Sequence, residues 1–339
     1  MKQEKAYRNV SMIERIVERL QKMESKYDVK ILLAVESGSR AWGFASKDSD
    51  YDVRFIYVHR KEWYLTLVGG RDVIEELDPD GVMDFAGWDL KKALLLMGKG
   101  NCAFAEWLNS PIIYYKDEDF FQSISLLKEE YFRKVSAVNH YYHMAINHDK
   151  RYLEKRGYEL KRFMYHLRGI LAAKWSALNG TYPPVLFSEL VERMIPDEKI
   201  KTEINILVAL KKEGSENNCA IVNDSLIRYA AETASNIESM LGSFPDDKPQ
   251  NYKRLDEFFL SVLDNVPDKA TAYKNAQIAQ GRNNNANEVI PAGLRMLEVN
   301  DIRIAALRSA IEEGVNSGEA VDFDPAAHLK SLKASKRNA

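Results

Sequence analysis

Asp50 and Asp52 stand two residues apart in Ser49-Asp50-Tyr51-Asp52-Val53, and residues 40–49 separate them from the pair Gly38-Ser39. Alternate side chains on a strand share a face, so the two carboxylates are expected to point together while Tyr51 and Val53 enter the packing on the other side. Parallel carboxylates repel unless a cation lies between them, and Mg²⁺ takes hard oxygen ligands, often one or two carboxylates together with substrate phosphates. Gly38 lets the backbone approach a phosphate closely, and the Ser39 hydroxyl and the amides after it can donate to one. Arg40, beside the turn, is the nearest cation for that phosphate. Such a set implies an enzyme that uses a metal-bound nucleotide.

Neither fragment is specific alone. Gly-Ser makes ordinary turns, and Asp-x-Asp on a strand is commonly a solvated edge. Their combination is more telling because of what positions it. Residues 31–35 form a short apolar run of strand length that ends at Ser37-Gly38-Ser39, and residues 51–58 form a second, rich in Tyr, Val, Ile and Phe. Both read as buried strands, one delivering the turn and the other the carboxylates. An amphipathic helix is expected over 11–27, further helices over 90–97 and 103–108, and an extended segment over 112–115.

The strings 36–44 and 49–55 resemble the nucleotidyltransferase superfamily of DNA polymerase β, whose signature is a strand, Gly-Ser, a short helical linker and Asp-x-Asp on the next strand. Within it they look like the branch associated with RNA ligases and proposed to serve RNA repair. The likeness continues through 87–92, 106–114 and 161–168 and spans roughly 10–263. It implies a metal-dependent transfer of a nucleoside monophosphate from a nucleoside triphosphate to a hydroxyl, with two Mg²⁺ or Mn²⁺ ions and release of pyrophosphate. It also implies a third carboxylate, on a later strand, that activates the attacking hydroxyl. Residues 72–77 and 82–86 read as a hairpin across Asp78-Pro79-Asp80-Gly81, a turn-forming set, and Asp84 falls inside its second strand. Glu75, Glu76, Asp78, Asp80 and Asp89 compete for the role. Turn chemistry accounts for Asp78 and Asp80, and capping of the helix that begins near Leu90 accounts for Asp89. Asp84 is the choice, with Asp50, Asp52 and Asp84 as the catalytic and metal-binding set.

Residues 117–263 look almost wholly helical, with long helices over 131–156 and 158–177 before the turn at Tyr182-Pro183-Pro184. Lys161, Tyr165 and Arg168 share one helix face. That stripe is either a solvated face with Tyr165 tucked beneath it or a surface touching the triphosphate and base of a nucleotide, and the resemblance at 161–168 adds weight to the second. His140, Met144 and Asn147 make a similar stripe on the preceding helix, read as core or rim.

The 339 residues, 45% of them hydrophobic, are enough for two or three domains with real cores. Lys plus Arg number 48 against 50 Asp plus Glu, a net charge of −2, so the whole chain is not an electrostatic nucleic-acid binder. A small or locally held acceptor is compatible with that balance. Cys102 and Cys219 lie far apart without metal-ligand partners in sequence, which fits a reducing compartment. With no signal peptide or long apolar span visible, the expectation is a cytoplasmic protein without membrane contact.

The last segment changes composition. Residues 277–298 and 306–324 resemble, in order, the two parts of ParD-family antitoxins, which join a dimeric ribbon-helix-helix to a tail that covers a ParE-type toxin. Ile302, Ala305, Ala306, Ser309 and Ala310 supply a small-residue helix face, Gly314 and Gly318 break it, and Val321 with Phe323 offers extended apolar anchors. Pro291 removes a backbone donor near the first turn of its helix, and residues 260–268 offer only a residual strand-like run, ending at a proline, where groove reading needs a strand. Dimerisation or partner binding is therefore expected ahead of operator reading.

The fold expected is α+β: a small mixed-sheet, polymerase β palm-like domain over 1–116, a helical domain over 117–265 that closes the nucleotide cleft, and a helical ParD-like tail over 266–339. Two classes of function follow. One is a nucleotidyltransferase acting on an RNA end, a protein hydroxyl or a small molecule. The other is an antitoxin or regulatory protein binding a ParE-like toxin, in which the nucleotidyltransferase fold modifies the toxin or serves as scaffold.

Overall fold

Ser11 caps the first helix through a capping box: its side chain accepts the Glu14 amide while Glu14 accepts the Ser11 amide. The computed structural model describes residues 11–149, 158–214, 219–245 and 251–267, of which those up to Val266 belong to one compact unit. The ParD-like residues lie outside the described ones. The first half runs α1 (Met12–Tyr27), β1 (Val29–Glu36), α2 (Gly38–Ala41), β2 (Tyr51–His59), α3 (Lys61–Tyr64), β3 (Val73–Leu77), β4 (Met83–Asp89), α4 (Leu90–Gly98), α5 (Cys102–Leu108) and β5 (Ile113–Lys116). The second runs α6 (Glu118–Glu130), α7 (Lys134–Asp149), β6 (Tyr158–Glu159), α8 (Leu160–Asn179), α9 (Phe187–Met194), α10 (Glu198–Glu213), β7 (Cys219–Ala220), α11 (Asp224–Leu241) and α12 (Lys253–Asp264).

Five strands form a mixed sheet in the order β3-β4-β2-β1-β5. β2 runs parallel to β4, and the other neighbours are antiparallel. Alternation assigns the faces. Val53, Phe55 and Tyr57 of β2 join Phe85 of β4 and Ile16, Leu20 and Met23 of α1 in one core. Each such buried aliphatic side chain contributes about 1.5–3 kcal/mol. Phe55 lies opposite Gly87 in register, and a Cβ there would fall 2.1 Å from its ring, so only glycine lets that ring close over β4. Ile56 and Val58 project to the opposite face, where α4, α5, α6 and α12 cover them. Phe120 of α6 and Leu255 and Leu263 of α12 are buried there, so the sheet's second core runs past residue 117 and draws on both ends of the helical segment.

A third core joins α7 to α11. Trp42 and Phe44, from the loop after α2, are buried in it. The Gly-Ser turn is thus clamped between the sheet and the helical layer. The helix expected from residue 131 forms as α7 but starts at Lys134: α6 stops at Glu130, and Tyr131 turns back through its amide to the Lys128 carbonyl while its ring enters the sheet's second core. Among the described helices, none is long and apolar enough to cross a membrane.

Candidate active site

Strand β1 ends on Glu36, and the chain then wraps one residue of β2. The Asp52 amide donates to Glu36 Oε1 at 2.8 Å, and the Ser37 amide donates to the Asp52 carbonyl at 2.9 Å. Gly38 adopts φ +60, and a Cβ there would fall 2.3 Å from Asp52 Oδ2. The space glycine leaves open is occupied by the Asp52 carboxylate, so this residue serves the carboxylate first and any phosphate second. Ser39 is buried within α2, with its carbonyl accepting the Phe44 amide at 3.1 Å.

Asp52 and Asp84 are register partners across the parallel strands β2 and β4. On β2, Asp52 shares its face with Arg54, whose Nη2 donates to Asp52 Oδ1 at 2.9 Å and to Asp84 Oδ2 at 2.8 Å, while Nη1 reaches the Asp84 carbonyl at 3.0 Å. Burial raises the Asp52 pKa, the Arg54 charge opposes that rise, and the negative charges of Asp84 and Asp50 add to it. Lys161 also acts on Asp52 electrostatically, as a stabilising positive charge from α8.

Asp50 does not sit on the strand with Asp52, contrary to the alternation expected. Pairing of this end of β2 begins at Tyr51, whose amide donates to the Val82 carbonyl at 2.8 Å, so Asp50 is left exposed in the preceding loop. Arg40 fixes that loop instead. Its Nε donates to the Asp50 carbonyl at 3.0 Å, its Nη2 to the Ser49 carbonyl at 2.6 Å, and its guanidinium lies 3.7 Å from the Tyr51 ring centre. The expected phosphate ligand is therefore committed in large part to bracing Asp50. Ser46 and Ser49 hydroxyls meet at 2.8 Å behind it, and the buried Lys211 of α10 approaches Ser46 Oγ at 3.5 Å.

The stripe Lys161, Tyr165 and Arg168 descends from the site into the core rather than lining one surface. Tyr165 packs edge-on against Trp42 with ring centres 4.8 Å apart. Arg168 is 0% exposed, paired to Glu106 Oε1 at 2.9 Å and stacked 4.0 Å over Trp42, so its side chain is walled off from a nucleotide. Glu106 Oε2 in turn accepts the Trp42 indole N–H at 3.1 Å. Spacing put the three residues on one face correctly, but a helix inserted between two layers buries the far end of that face.

The competing carboxylates have other partners. Asp89 caps α4 through the Lys91 amide and accepts the Tyr64 hydroxyl at 2.6 Å, Asp80 accepts the Val82 amide, Glu76 pairs with Arg19 and Lys26, and Glu75 pairs with Arg71. Three residues that the sequence reading passed over belong to the site's frame: Glu36, Arg54 and Glu106. Arg54 carried a signal, since a residue two beyond Asp52 must share its face. Glu36 carried a fainter one, a lone acid closing an apolar strand. It is 0% exposed, and burial pushes its carboxyl from 4.5 up to about 6 despite the Tyr114 hydroxyl and Asp52 amide that it accepts.

Among the described residues, no three His, Cys, Asp or Glu side chains are gathered closely enough to hold a metal ion. In donor type and charge, Asp50, Asp52 and Asp84 nevertheless fit a hard divalent cation: the charges of Asp84 and Asp50 both act on Asp52, and Arg54 stands between Asp52 and Asp84 where positive charge is needed.

The family profile described as the RNA repair pathway DNA polymerase beta family matches residues 12–261, and that of the bacterial antitoxin of the ParD toxin–antitoxin type II system matches 262–338. The chain is 38% identical over 255 residues to the uncharacterized protein YcgL of Bacillus subtilis, covering 75% of this chain and 98% of that one. It is 43% identical over 54 residues to antitoxin ParD1 of Mycobacterium tuberculosis, covering 16% of this chain and 65% of the antitoxin. A solved nucleotidyltransferase-like protein from Exiguobacterium sibiricum aligns with a TM-score of 0.25 and 13% identity, over 66% of this chain and 73% of that one.

Proposed function

This chain belongs to the RNA repair pathway DNA polymerase beta family, and on that premise we propose that it moves a nucleoside monophosphate from a nucleoside triphosphate to a hydroxyl at an RNA end, releasing pyrophosphate. The observation that carries the reading is the register of Asp52 with Asp84, with Gly38 closed against the Asp52 carboxylate. Asp50 and Asp52, joined by Asp84, would hold Mg²⁺ or Mn²⁺, which when bound neutralises charge on the triphosphate and the departing pyrophosphate. Asp84 accepts the proton of the attacking hydroxyl. The oxygen so freed forms a bond to the α-phosphorus as the bond from that phosphorus to the bridging oxygen of the β-phosphate breaks, in line, and the electron pair leaves with pyrophosphate. Lys161 offers positive charge from the helical side, and the Gly38-Ser39 turn receives the phosphates. Arg40 holds Asp50 in place, and Arg168 holds Trp42 behind the turn. The catalytic fold is assigned to 1–116, the helical cover to 117–265 and the ParD-like tail to 266–339.

The test is transfer of radiolabel from nucleoside triphosphates, with Mg²⁺ or Mn²⁺, to RNA and protein acceptors. Asp50→Ala/Asp52→Ala should abolish it, and retained transfer in that variant discards the assignment. The match of 262–338 to ParD antitoxins supports a second role, capture of a ParE-like toxin by the tail, which could make the toxin itself the acceptor. Pull-down with a ParE-type protein should then fail for a chain truncated after Asn265, and undiminished capture would remove that role.

A further inference from the structure

One face of α7 is unlike a solvated helix face. Its inner side buries Ala137, Val138, Tyr141, Tyr142 and Ala145 in the helical core. Its outer side presents Asn139, His140, His143 and Asn147 to an open cavity of about 670 Å³, bordered on the other side by Lys99 and Asn101 from the turn between α4 and α5. That volume falls within the range of small-ligand sites. Among the described lining residues, Lys99 is the one formal charge and none is a carboxylate. A face meant only for water usually carries charges of both signs, as the outer side of α10 does with Glu198, Lys199 and Lys212.

The polar groups are arranged rather than scattered. The Asn101 side-chain oxygen accepts the Phe104 amide at 3.0 Å, which leaves the NH₂ of this lining residue as a donor. Asn139 is set the opposite way: its NH₂ donates to the Val135 carbonyl at 2.9 Å, leaving an acceptor. The His140 and His143 rings lean on Tyr141 and Tyr142, with ring centres 5.0 and 5.7 Å apart. They are therefore held as plates about one helical turn from each other, with Cβ atoms roughly 5–6 Å apart. Planar rings, paired amide donors and acceptors and a lysine match the requirements of unstacked bases joined by a phosphodiester. Cys102, which lines the cavity, stands one helical turn before Glu106 on α5, and Glu106 with Arg168 fixes Trp42 behind the Gly38 turn, so the cavity adjoins the frame of the candidate active site.

We infer that this cavity is the binding site for a single-stranded segment of the acceptor RNA, with bases stacked on His140 and His143, base edges read by Asn101, Asn139 and Asn147, and a phosphate on Lys99. The inference rests on the nucleotidyltransferase reading for its acceptor and adds where that acceptor is held. It explains how a chain of net charge −2 takes a nucleic-acid substrate: recognition is local and mostly by stacking.

The experiment is fluorescence anisotropy of the full chain with a short labelled single-stranded RNA. His143 and Lys99 are exposed, so His143→Ala and Lys99→Gln should fold normally. His143→Ala should weaken RNA binding about tenfold. Lys99→Gln should flatten the dependence of log affinity on log salt by about 0.7, the share of one phosphate. Asp52→Ala should leave RNA affinity unchanged. Photocrosslinking with 4-thiouridine should label the peptide holding His140 and His143. Unchanged affinity in both cavity variants, crosslinks confined elsewhere, or binding of free mononucleotide but not RNA would each overturn the assignment. Label transfer to RNA with affinity and KM intact in His143→Ala would remove the cavity and keep the enzyme. RNA held in the cavity by a wild-type chain that transfers no label would do the reverse.

Discussion

Asp52 and Asp84 face each other across parallel strands, and the Arg54 guanidinium bridges them, 2.9 Å from one carboxylate and 2.8 Å from the other. Two like charges in register are tolerable because a third residue of the same face lies between them. A divalent cation that binds both carboxylates must share or take over that position.

Removing the bridge should expose the repulsion. Arg54→Ala is expected to lose about 1–3 kcal/mol of stability without metal, since it strands two partly buried carboxylates. Added Mn²⁺ should then raise the melting temperature of the variant more than that of the wild type. Equal shifts in thermal melts with and without Mn²⁺ would show that the cation does not bind where Arg54 bridges.

Gly38 meets two demands, a left-handed φ of +60 and room for Asp52 Oδ2. Gly38→Ala should cost about 1 kcal/mol for the backbone conformation alone and should displace the Asp52 carboxylate. The expected result is loss of label transfer with the circular-dichroism spectrum retained, and an active variant would count against the role given to Asp52.

Glu36 supplies a pH signature. Its folded pKa of about 6 lies above 4.5, so between those values the folded chain holds more protons than the unfolded one. Its contribution is fully present below 4.5 and is lost as pH rises through about 6, amounting to about 2 kcal/mol. Asp52 and Asp89 are raised as well and share this direction, so the informative quantity is a difference. Urea midpoints of Glu36→Gln should gain on the wild type across that window, whereas parallel curves would mean that Glu36 is not the titrating group.

Glu106 is the carboxylate partner of a fully buried arginine whose Nε and Nη1 have no hydrogen-bond partner. Glu106→Ala should cost about 3–5 kcal/mol. Pairing it with Arg168→Met should recover much of that loss, because the stranded charge leaves too. A double-mutant cycle with strictly additive effects would show that the pair is not coupled.

The strands at 31–35 and 51–58, the amphipathic first helix, the hairpin across Asp78-Pro79-Asp80-Gly81 and the helical cap at Asp89 were all readable, because each rests on periodicity or turn chemistry within a few residues. Asp84 was readable as a strand residue. Its position opposite Asp52 was not, since a parallel pair joins strands distant in sequence and nothing local sets that register. For the same reason the hold of Arg40 on the Ser49 and Asp50 carbonyls was not visible, and Arg168, which read as part of a surface, is buried in the core: both residues have reach, and their partners come from other elements.

What the sequence by itself determined is therefore the chemistry available, a Gly-Ser turn and a carboxylate pair on the scaffold of a nucleotidyltransferase, and the order of elements that presents them. Tertiary structure alone decided which carboxylates meet, with Arg54 between Asp52 and Asp84, Glu36 sealed beneath Asp52, and Trp42 held by Glu106 and Arg168. The physical reason is range: backbone propensity and alternation act over one or two turns of chain, whereas burial and charge pairing are set by neighbours that only packing brings within a few ångströms.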